Sequence, residues 1–230
     1  MSQPLISSFA NLQTLREHLN KVTSFSQQGE DLIVQRIMER RLGLYPKSQQ
    51  GFYVDIGAYH PISHSTTYLF YRFGWSGICV DISEPTCDIF RKVRPRDIVF
   101  HAAIASQDQK HAYRPAEKIK LTNEAQKPSL KAGNRGYQID ARSINSLLEE
   151  TKQKERIDYL NIDVEGAELS AIKGLDLQRW APRIITIEIH EKSLEAGLAH
   201  ATARHLIERG YVCLACAAIT YIFVRESDLA

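Results

Sequence analysis

Acidic side chains lie at or near the ends of the apolar runs of this sequence. Asp55 lies in the run 52–56, which stops at Gly57, and Pro61 prevents a strand from resuming at once. Because glycine lacks a side chain, the backbone there can come close to a ligand, while the carboxylate accepts hydrogen bonds from it. A buried carboxylate is costly without a partner. This corner predicts a site for a nucleotide-like ligand, against the alternative of an ordinary turn after a buried strand.

A second apolar run, 77–81, also closes on an acid, Asp81. In a doubly wound sheet, an acid at this position binds the ribose hydroxyls of a cofactor. Asp81 is therefore the predicted ribose ligand and Glu84 the alternative, unless one of them only caps the helix predicted over 86–93. A third strand, predicted over 97–104, would end on the adenine side of the same crevice.

The densest group of acids is Asp163, Glu165 and Glu168, which follow a strand predicted over 159–162. Gly166 allows the chain to turn there into a helix. Carboxylates that repel one another cost stability, so a metal ion, a substrate hydroxyl or a cofactor amine is expected beside them. For Glu165 and Glu168, a role at the helix N-terminus is the alternative.

A carboxylate and an imidazole end the strand predicted over 182–191. Glu188 and His190 point to the same side of an extended chain, because side chains alternate along a strand. His190 could act as a general base or only cap the edge of the sheet, and the sequence leaves both open.

Composition narrows the class of protein that positions these residues. The chain has 230 residues, 43% hydrophobic and 24% charged, which predicts a globular protein with a substantial core. A net charge of +2 does not indicate a nucleic-acid partner. The sequence lacks a bilayer-length apolar run and a signal peptide, so we expect a cytoplasmic protein with no membrane partner. Cys213 and Cys216 lack a second pair of ligands, which disfavours a zinc or redox site.

Strand and helix patterns alternate from residue 52 to 209, which predicts a doubly wound, mostly parallel sheet with helices on both faces. Two runs in 211–224 predict an antiparallel hairpin at one edge. Helical patterns over 5–22 and from Leu32 to Leu42 predict that 1–50 is a helical segment packing on a single domain, 51–230. The aperiodic stretch 106–137 is either a lid over the substrate or a solvated excursion.

Acids at the ends of the first, second and fourth strands would border one crevice, which suits a ligand with an adenosine and a charged tail. The first turn lacks the further glycines that let a pyrophosphate approach a helix, so S-adenosylmethionine fits better than NAD. Ser65 and Thr66 follow this turn and offer hydroxyls in the first turn of a helix predicted over 63–71.

Five blocks of the sequence, in order, resemble the FkbM family of S-adenosylmethionine-dependent methyltransferases. The blocks are SQQGED at 26–31, YVDIGA at 53–58, STT at 65–67 with GWSGI at 74–78, RP at 94–95, and IDVEGAE at 162–168 with IE at 187–188. The resemblance implies a Rossmann-like class I methyltransferase fold with a mostly parallel seven-stranded sheet. It also implies methyl transfer to a hydroxyl of a sugar or natural-product type of small molecule.

The resemblance places Asp55 and Gly57 in the cofactor loop, and Asp163 and Glu165 in the family's D-x-E-G motif. Asp81 stands where the family commonly has a glutamate before a proline. The expected cofactor contacts are Asp55, Gly57, Ala58, Ser65, Thr66, Asp81, Ile82, Ala103 and Asp163.

Methyl transfer to an alcohol needs a group that removes the hydroxyl proton. The expected catalytic residues are Asp163, Glu188 and His190, with His60 as a further candidate base. Alternatively, a magnesium ion held by Asp163, Glu165 and Glu188 would lower the pKa of the hydroxyl. There are three rival functions: an NAD-type oxidoreductase, a non-catalytic binding module, and an RNA methyltransferase that uses the basic residues of 118–135. The sequence does not indicate the oligomeric state.

Overall fold

The computed structural model describes residues 22–114, 137–151 and 156–229. The strands are β1 (Phe52–Ile56), β2 (Ser76–Asp81), β3 (Ile98–His101), β4 (Ala103–Ile104), β5 (Gln109–Arg114), β6 (Tyr137–Arg142), β7 (Tyr159–Ile162), β8 (Ile184–Glu188), β9 (Tyr211–Ala217) and β10 (Thr220–Arg225). The helices are α1 (Glu30–Arg41), α2 (Tyr68–Arg72), α3 (Glu84–Val93), α4 (Ile144–Glu150), α5 (Glu168–Lys173), α6 (Leu194–Ala199) and α7 (Ala201–Ile207), and a 3₁₀ turn follows at Glu226–Asp228.

The main sheet has seven strands in the order β3-β2-β1-β7-β8-β10-β9. All neighbours are parallel except β10, which runs antiparallel to both β8 and β9. The order turns back at β1, so the carboxyl ends of β1, β2, β7 and β8 meet at one edge. This arrangement confirms the predicted class I methyltransferase fold, including the antiparallel hairpin.

Each face of the sheet carries its own core, because side chains alternate along the strands. One face packs on α1, α2 and α3 and includes Tyr53, Phe70 and Tyr159. The opposite face packs on α4, α5 and α7 and includes Val54 and Ile162. Polar residues enter the first face near the carboxyl ends of the strands, where Asn161 pairs with Asp55 in register.

Three predicted elements differ from the structure. The strand predicted over 97–104 divides after His101: the Ala102 amide makes the last bond to β2, to the Asp81 carbonyl at 3.1 Å, and β4 then pairs with β6 in a separate sheet, β4-β6-β5. The helix predicted over 63–71 begins only at Tyr68, since the Ser65 amide bonds to the Phe25 carbonyl at 2.9 Å. The stretch 106–137 begins and ends in β5 and β6, whereas residues 115–136 lie outside the described part of the chain.

Nearly all of the helix predicted over 5–22 also lies outside the described residues. Within 22–50, α1 packs on the sheet through Val34, Ile37 and Met38. The division into segment 1–50 and domain 51–230 stays a prediction. All four cysteines are free thiols. No described helix has the length and apolar character needed to cross a membrane.

Candidate active site

The end of β1 contacts the end of β7 at Gly57. Its φ is +80°, and an added Cβ would lie 1.7 Å from the Asp163 carbonyl oxygen. The Gly57 and Ala58 amides both donate to the Val80 carbonyl, at 2.9 and 3.1 Å, and the Asp163 amide donates to the Ile56 carbonyl at 2.9 Å. Only glycine fits this turn, which holds the carboxyl ends of three strands together.

Asp55 lies beneath this turn, and its side chain belongs to a buried hydrogen-bond chain. One oxygen accepts from the Thr67 hydroxyl at 2.5 Å and the other from the Asn161 amide at 2.9 Å. The Thr186 hydroxyl donates to Asn161 Oδ1 at 2.8 Å, and the Tyr159 hydroxyl lies 2.9 Å from Thr186 Oγ1. Both Asp55 oxygens therefore have partners within the protein, which favours an indirect role; its predicted contact with the cofactor stays a prediction.

The segment 57–67 between β1 and α2 contains two further predicted contacts. The Ser65 hydroxyl is buried, accepts from Arg94 Nη2 at 2.6 Å and accepts from the Tyr68 amide at 3.2 Å. Thr66 lies next to it with its hydroxyl oxygen buried. These partners fix the segment directly after the Gly57 turn, and cofactor contacts by Ser65 and Thr66 stay predictions.

Asp81, at the end of β2, holds the loops on either side of it. Its carboxylate accepts from the Tyr59 amide at 2.9 Å and from the Ser83 amide at 2.7 Å. Burial raises the pKa of Asp81, and these two hydrogen bonds oppose the rise. His101 Nε2 lies 3.0 Å from the carbonyl oxygen of the adjacent Ile82.

The alternative ribose ligand, Glu84, forms an ion pair on the surface with Arg91, at 3.4 Å, and also contacts His101 Nδ1. The cap of α3 is Ser83, whose hydroxyl accepts from the Thr86 amide at 3.4 Å, so neither Asp81 nor Glu84 provides the side-chain cap. Asp81 is the more buried of the two acids. Which of them binds the ribose, and whether Ile82 and Ala103 contact the cofactor, stay predictions.

Asp163 and Glu188, at the ends of β7 and β8, form a hydrogen-bonded pair of acids. Burial and the neighbouring charges of Glu188 and Glu165 raise the pKa of Asp163 to about 8. Burial raises the pKa of Glu188 to about 7, with contributions from Glu165, Glu168 and Glu30. Two such close acids hold one proton between them near neutral pH.

Two histidines were candidate bases. His190 Nε2 lies 3.3 Å from Glu188 Oε2, as the alternation of side chains predicts, and 57% of the His190 side chain is exposed. His60 Nδ1 accepts from the Ile62 amide at 3.1 Å and from the Ser63 amide at 2.9 Å, and burial lowers its pKa. His190 thus lies beside the acid pair, whereas one His60 nitrogen already has partners in its loop.

The predicted magnesium site is not found. Across the described residues, no group of three or more His, Cys, Asp or Glu side chains is arranged to hold a metal ion. Asp163 and Glu188 bond directly to each other, and Glu165 lies in a turn with φ +53° next to Gly166 at φ +97°. The described residues therefore do not support a magnesium ion at these three carboxylates.

Five polar residues of this region are absent from the predicted site residues. Glu30, Thr67 and Arg94 lie in the sequence blocks that carry the family resemblance but have no predicted role, whereas Asn161 and Thr186 lie outside those blocks. Asn161 and Thr186 interrupt apolar strands at positions in register with Asp55, which is the signal that could have identified them. Glu30 is 3% exposed and its carboxylate accepts from the Gln28 amide at 2.8 Å and the Thr220 hydroxyl at 3.4 Å. Thr220 is far from Glu30 along the chain, and a linear sequence does not show such a contact.

Comparison with known proteins gives one family match and one similar solved structure. The Methyltransferase FkbM domain matches residues 55–213. Among solved structures, a TehB-like SAM-dependent methyltransferase from Corynebacterium glutamicum is similar at a TM-score of 0.42 and 8% identity, over 93% of this chain and 95% of that chain. No curated protein sequence matches the chain significantly.

Proposed function

This chain belongs to the Methyltransferase FkbM domain family, and from that membership we propose that it methylates a hydroxyl oxygen of a small molecule. S-adenosylmethionine is the methyl donor that the family implies. The acceptor is proposed to be of the sugar or natural-product type. The observation that carries the proposal is the hydrogen-bonded acid pair Asp163–Glu188 at the carboxyl edge of the sheet.

The residues at this edge fit S-adenosylmethionine by the chemistry of their side chains. Asp81 at the end of β2 suits ribose hydroxyls, because it is an acceptor at the position that doubly wound folds use for them. The acids near the ends of β7 and β8 suit a ligand with a positive charge, since their own charges repel one another. Gly57 lies between Asp81 and the acids of β7 and β8, and because it has no side chain the cofactor could approach its backbone closely.

Bound S-adenosylmethionine supplies an electrophilic methyl group on a positively charged sulfur. With that group bound, the acceptor oxygen would form the new C–O bond as the S–C bond breaks, S-adenosylhomocysteine would be the leaving group, and the hydroxyl proton would pass to a base. An alcohol is a poor nucleophile while it keeps that proton, so the protein has to align the oxygen and provide a base.

The Asp163–Glu188 pair supports the role of base. With pKa values raised to about 8 and about 7, the pair is partly protonated near neutral pH, and its ionised oxygen can accept the hydroxyl proton. His190, 3.3 Å from Glu188, offers a path by which the proton leaves to solvent. No step in this account requires a metal ion.

Calorimetry and an acceptor screen test the proposal. Purified protein is titrated with S-adenosylmethionine, S-adenosylhomocysteine and NAD, and then incubated with S-adenosylmethionine and panels of glycosides and phenols. We expect binding of the first two ligands, no binding of NAD, and an acceptor that gains one methyl group by mass spectrometry. A parallel assay with EDTA should give the same rate.

Each outcome has a clear meaning. Binding of NAD alone would support the oxidoreductase alternative, and binding of no cofactor would support the non-catalytic module. Methylation of nitrogen, of a protein or of RNA would refute the small-molecule hydroxyl, while loss of activity with EDTA would restore the magnesium hypothesis. The cytoplasmic location also stays a prediction.

A further inference from the structure

Arg94 is an arginine with no solvent exposure that lies directly after α3. Its guanidinium makes three short hydrogen bonds, all to the segment that joins β1 to α2. Nε donates to the Pro61 carbonyl at 2.7 Å, Nη1 to the Thr67 hydroxyl at 2.9 Å, and Nη2 to the Ser65 hydroxyl at 2.6 Å. One planar group therefore fixes the relative positions of three residues after the Gly57 turn.

The shortest contacts of this cation do not go to its counter-ion. Asp97 is that counter-ion, but its nearest oxygen lies 3.6 Å from Arg94 Nη1. Asp97 instead accepts from the Tyr53 hydroxyl at 2.6 Å and from the Gly77 amide at 3.0 Å. The charge of Arg94 is thus balanced in part by Asp97, while its directional bonds go to the segment.

The contacts of Arg94 continue to the candidate site. Thr67, which accepts from Arg94, donates to Asp55, and Asp55 is bonded to Asn161 on β7. The chain from Arg94 to β7 contains only buried side chains. A change at Arg94 therefore alters both the segment after Gly57 and the strand that ends at Asp163.

Aromatic rings restrict the guanidinium further. It lies 5.2 Å from the Tyr68 ring, 5.5 Å from the Tyr71 ring and 5.1 Å from the Phe90 ring. Cations are attracted to ring faces, and these rings come from α2 and α3. The rings leave the planar group little freedom, so its donors point at the segment in one orientation.

We propose that Arg94 is a positioning residue for methyl transfer, which presets segment 57–67 for the cofactor without touching it. The proposal rests on the proposed function, because it takes this segment to be the cofactor loop. Lysine keeps the charge but carries its donors on one nitrogen, so it cannot reach three separated acceptors. Arg94→Lys should therefore fold and retain the charge while it loses the fixed segment.

The test compares Arg94→Lys with Arg96→Lys as the matched control. Arg96 stacks on Tyr71 and donates to the Tyr71 carbonyl at 2.5 Å, but has no bond to segment 57–67. The Kd of S-adenosylhomocysteine is measured by calorimetry, amide exchange of peptides from 57–67 by mass spectrometry, and KM and kcat by steady-state assay. Arg94→Lys should raise Kd and the KM of S-adenosylmethionine about tenfold or more, and should speed exchange in that segment, while the KM of the acceptor changes little.

A second variant covers the case in which Arg94→Lys does not fold. Thr67→Val removes the link between Arg94 and Asp55, and because Thr67 has no solvent exposure its effect on Kd is indirect. It should raise Kd in the same direction. Two results would refute the positioning role and leave the proposed function intact. The first is that Arg94→Lys and Thr67→Val both keep the Kd and the amide exchange of wild type. The second is that Arg96→Lys raises Kd as much as Arg94→Lys does. Failure of wild-type protein to bind the cofactor would refute the proposed function and this proposal with it.

Discussion

Asp55 lies on β1 and Asp163 directly follows the neighbouring strand β7, yet the surroundings of the two carboxylates are opposite. Asp55 is fully buried, whereas Asp163 is partly buried. Asp55 has two hydrogen-bond donors and the positive charge of Arg94, all of which oppose the rise in pKa that burial causes. For Asp163, three acids add to that rise: Glu188, Glu165 and Asp55 itself. Burial raises the pKa of both acids, and the charge of the neighbours then distinguishes what each carboxylate can do.

This difference suits Asp55 to a structural role and the Asp163–Glu188 pair to a chemical one. The partners of Asp55 have fixed positions within the protein, and any movement of a proton there would break a buried network. The Asp163–Glu188 pair is already poised to exchange a proton near neutral pH, which is what a general base requires. The Gly57 turn, which directly follows β1, packs against the backbone of Asp163, so the buried network around Asp55 can hold Asp163 in place.

The largest effect should come from Asp163→Asn. The amide cannot accept the hydroxyl proton, so kcat should fall by about 10²–10⁴-fold, while the Kd of S-adenosylhomocysteine stays near that of wild type. Glu165→Gln is the matched control, because it also removes one acid of the group and should reduce kcat much less. An unchanged rate in Asp163→Asn would remove Asp163 from the mechanism.

Gly57→Ala should disrupt the contact between the turn after β1 and the backbone after β7. The added Cβ would overlap the Asp163 carbonyl oxygen, and the φ of +80° is strained for alanine. Clash and strain together should lower the free energy of unfolding by about 3 kcal/mol or more, measured by urea denaturation. Gly43 has a φ of +61° and no atom within 4 Å of an added Cβ, so Gly43→Ala should cost only about 1 kcal/mol.

Asp55→Asn should affect stability more than catalysis. Asparagine can accept from only one of the two donors, Thr67 and Asn161, and it removes the charge that faces Arg94. The free energy of unfolding should fall by about 1–3 kcal/mol, and kcat should fall less than in Asp163→Asn. The comparison between the two acids would be wrong if Asp55→Asn lost more activity than Asp163→Asn at full stability.

The sequence predicted the fold better than the site. Apolar runs with glycine and proline between them identify the parallel strands, because buried strands and their turns leave a local pattern. The division of the strand after His101 and the late start of α2 depend on bonds to distant carbonyls, which local pattern does not contain. At the site, the spacing of the sequence places the acids at the ends of the strands. The opposite influences on the pKa values of Asp55 and Asp163 come from Arg94, Thr67 and Glu188, which lie in other parts of the chain.

The smallest predicted effect is a pH dependence of stability that comes from the acid pair. The pKa values of Asp163 and Glu188 are raised from 3.8 and 4.5 to about 8 and about 7, so the folded state binds more protons than the unfolded state over this window. Stability must therefore fall as pH rises from about 4 to about 8, and change no further above it. We expect a fall on the order of 1 kcal/mol from the pair, because shared protons and water reduce the effect of burial.

Glu188→Gln isolates this contribution from the other buried acids. The pKa values of Asp55, Asp81 and Asp97 are also raised, so these acids also lower the free energy of unfolding as pH rises. Only the difference between wild type and variant therefore measures the contribution of the Asp163–Glu188 pair. In Glu188→Gln the fall between pH 4 and pH 8 should be smaller, because glutamine removes one titrating group and the charge that raises the pKa of Asp163. Urea denaturation at several pH values measures this difference, and identical pH profiles would show that the two acids do not share a proton.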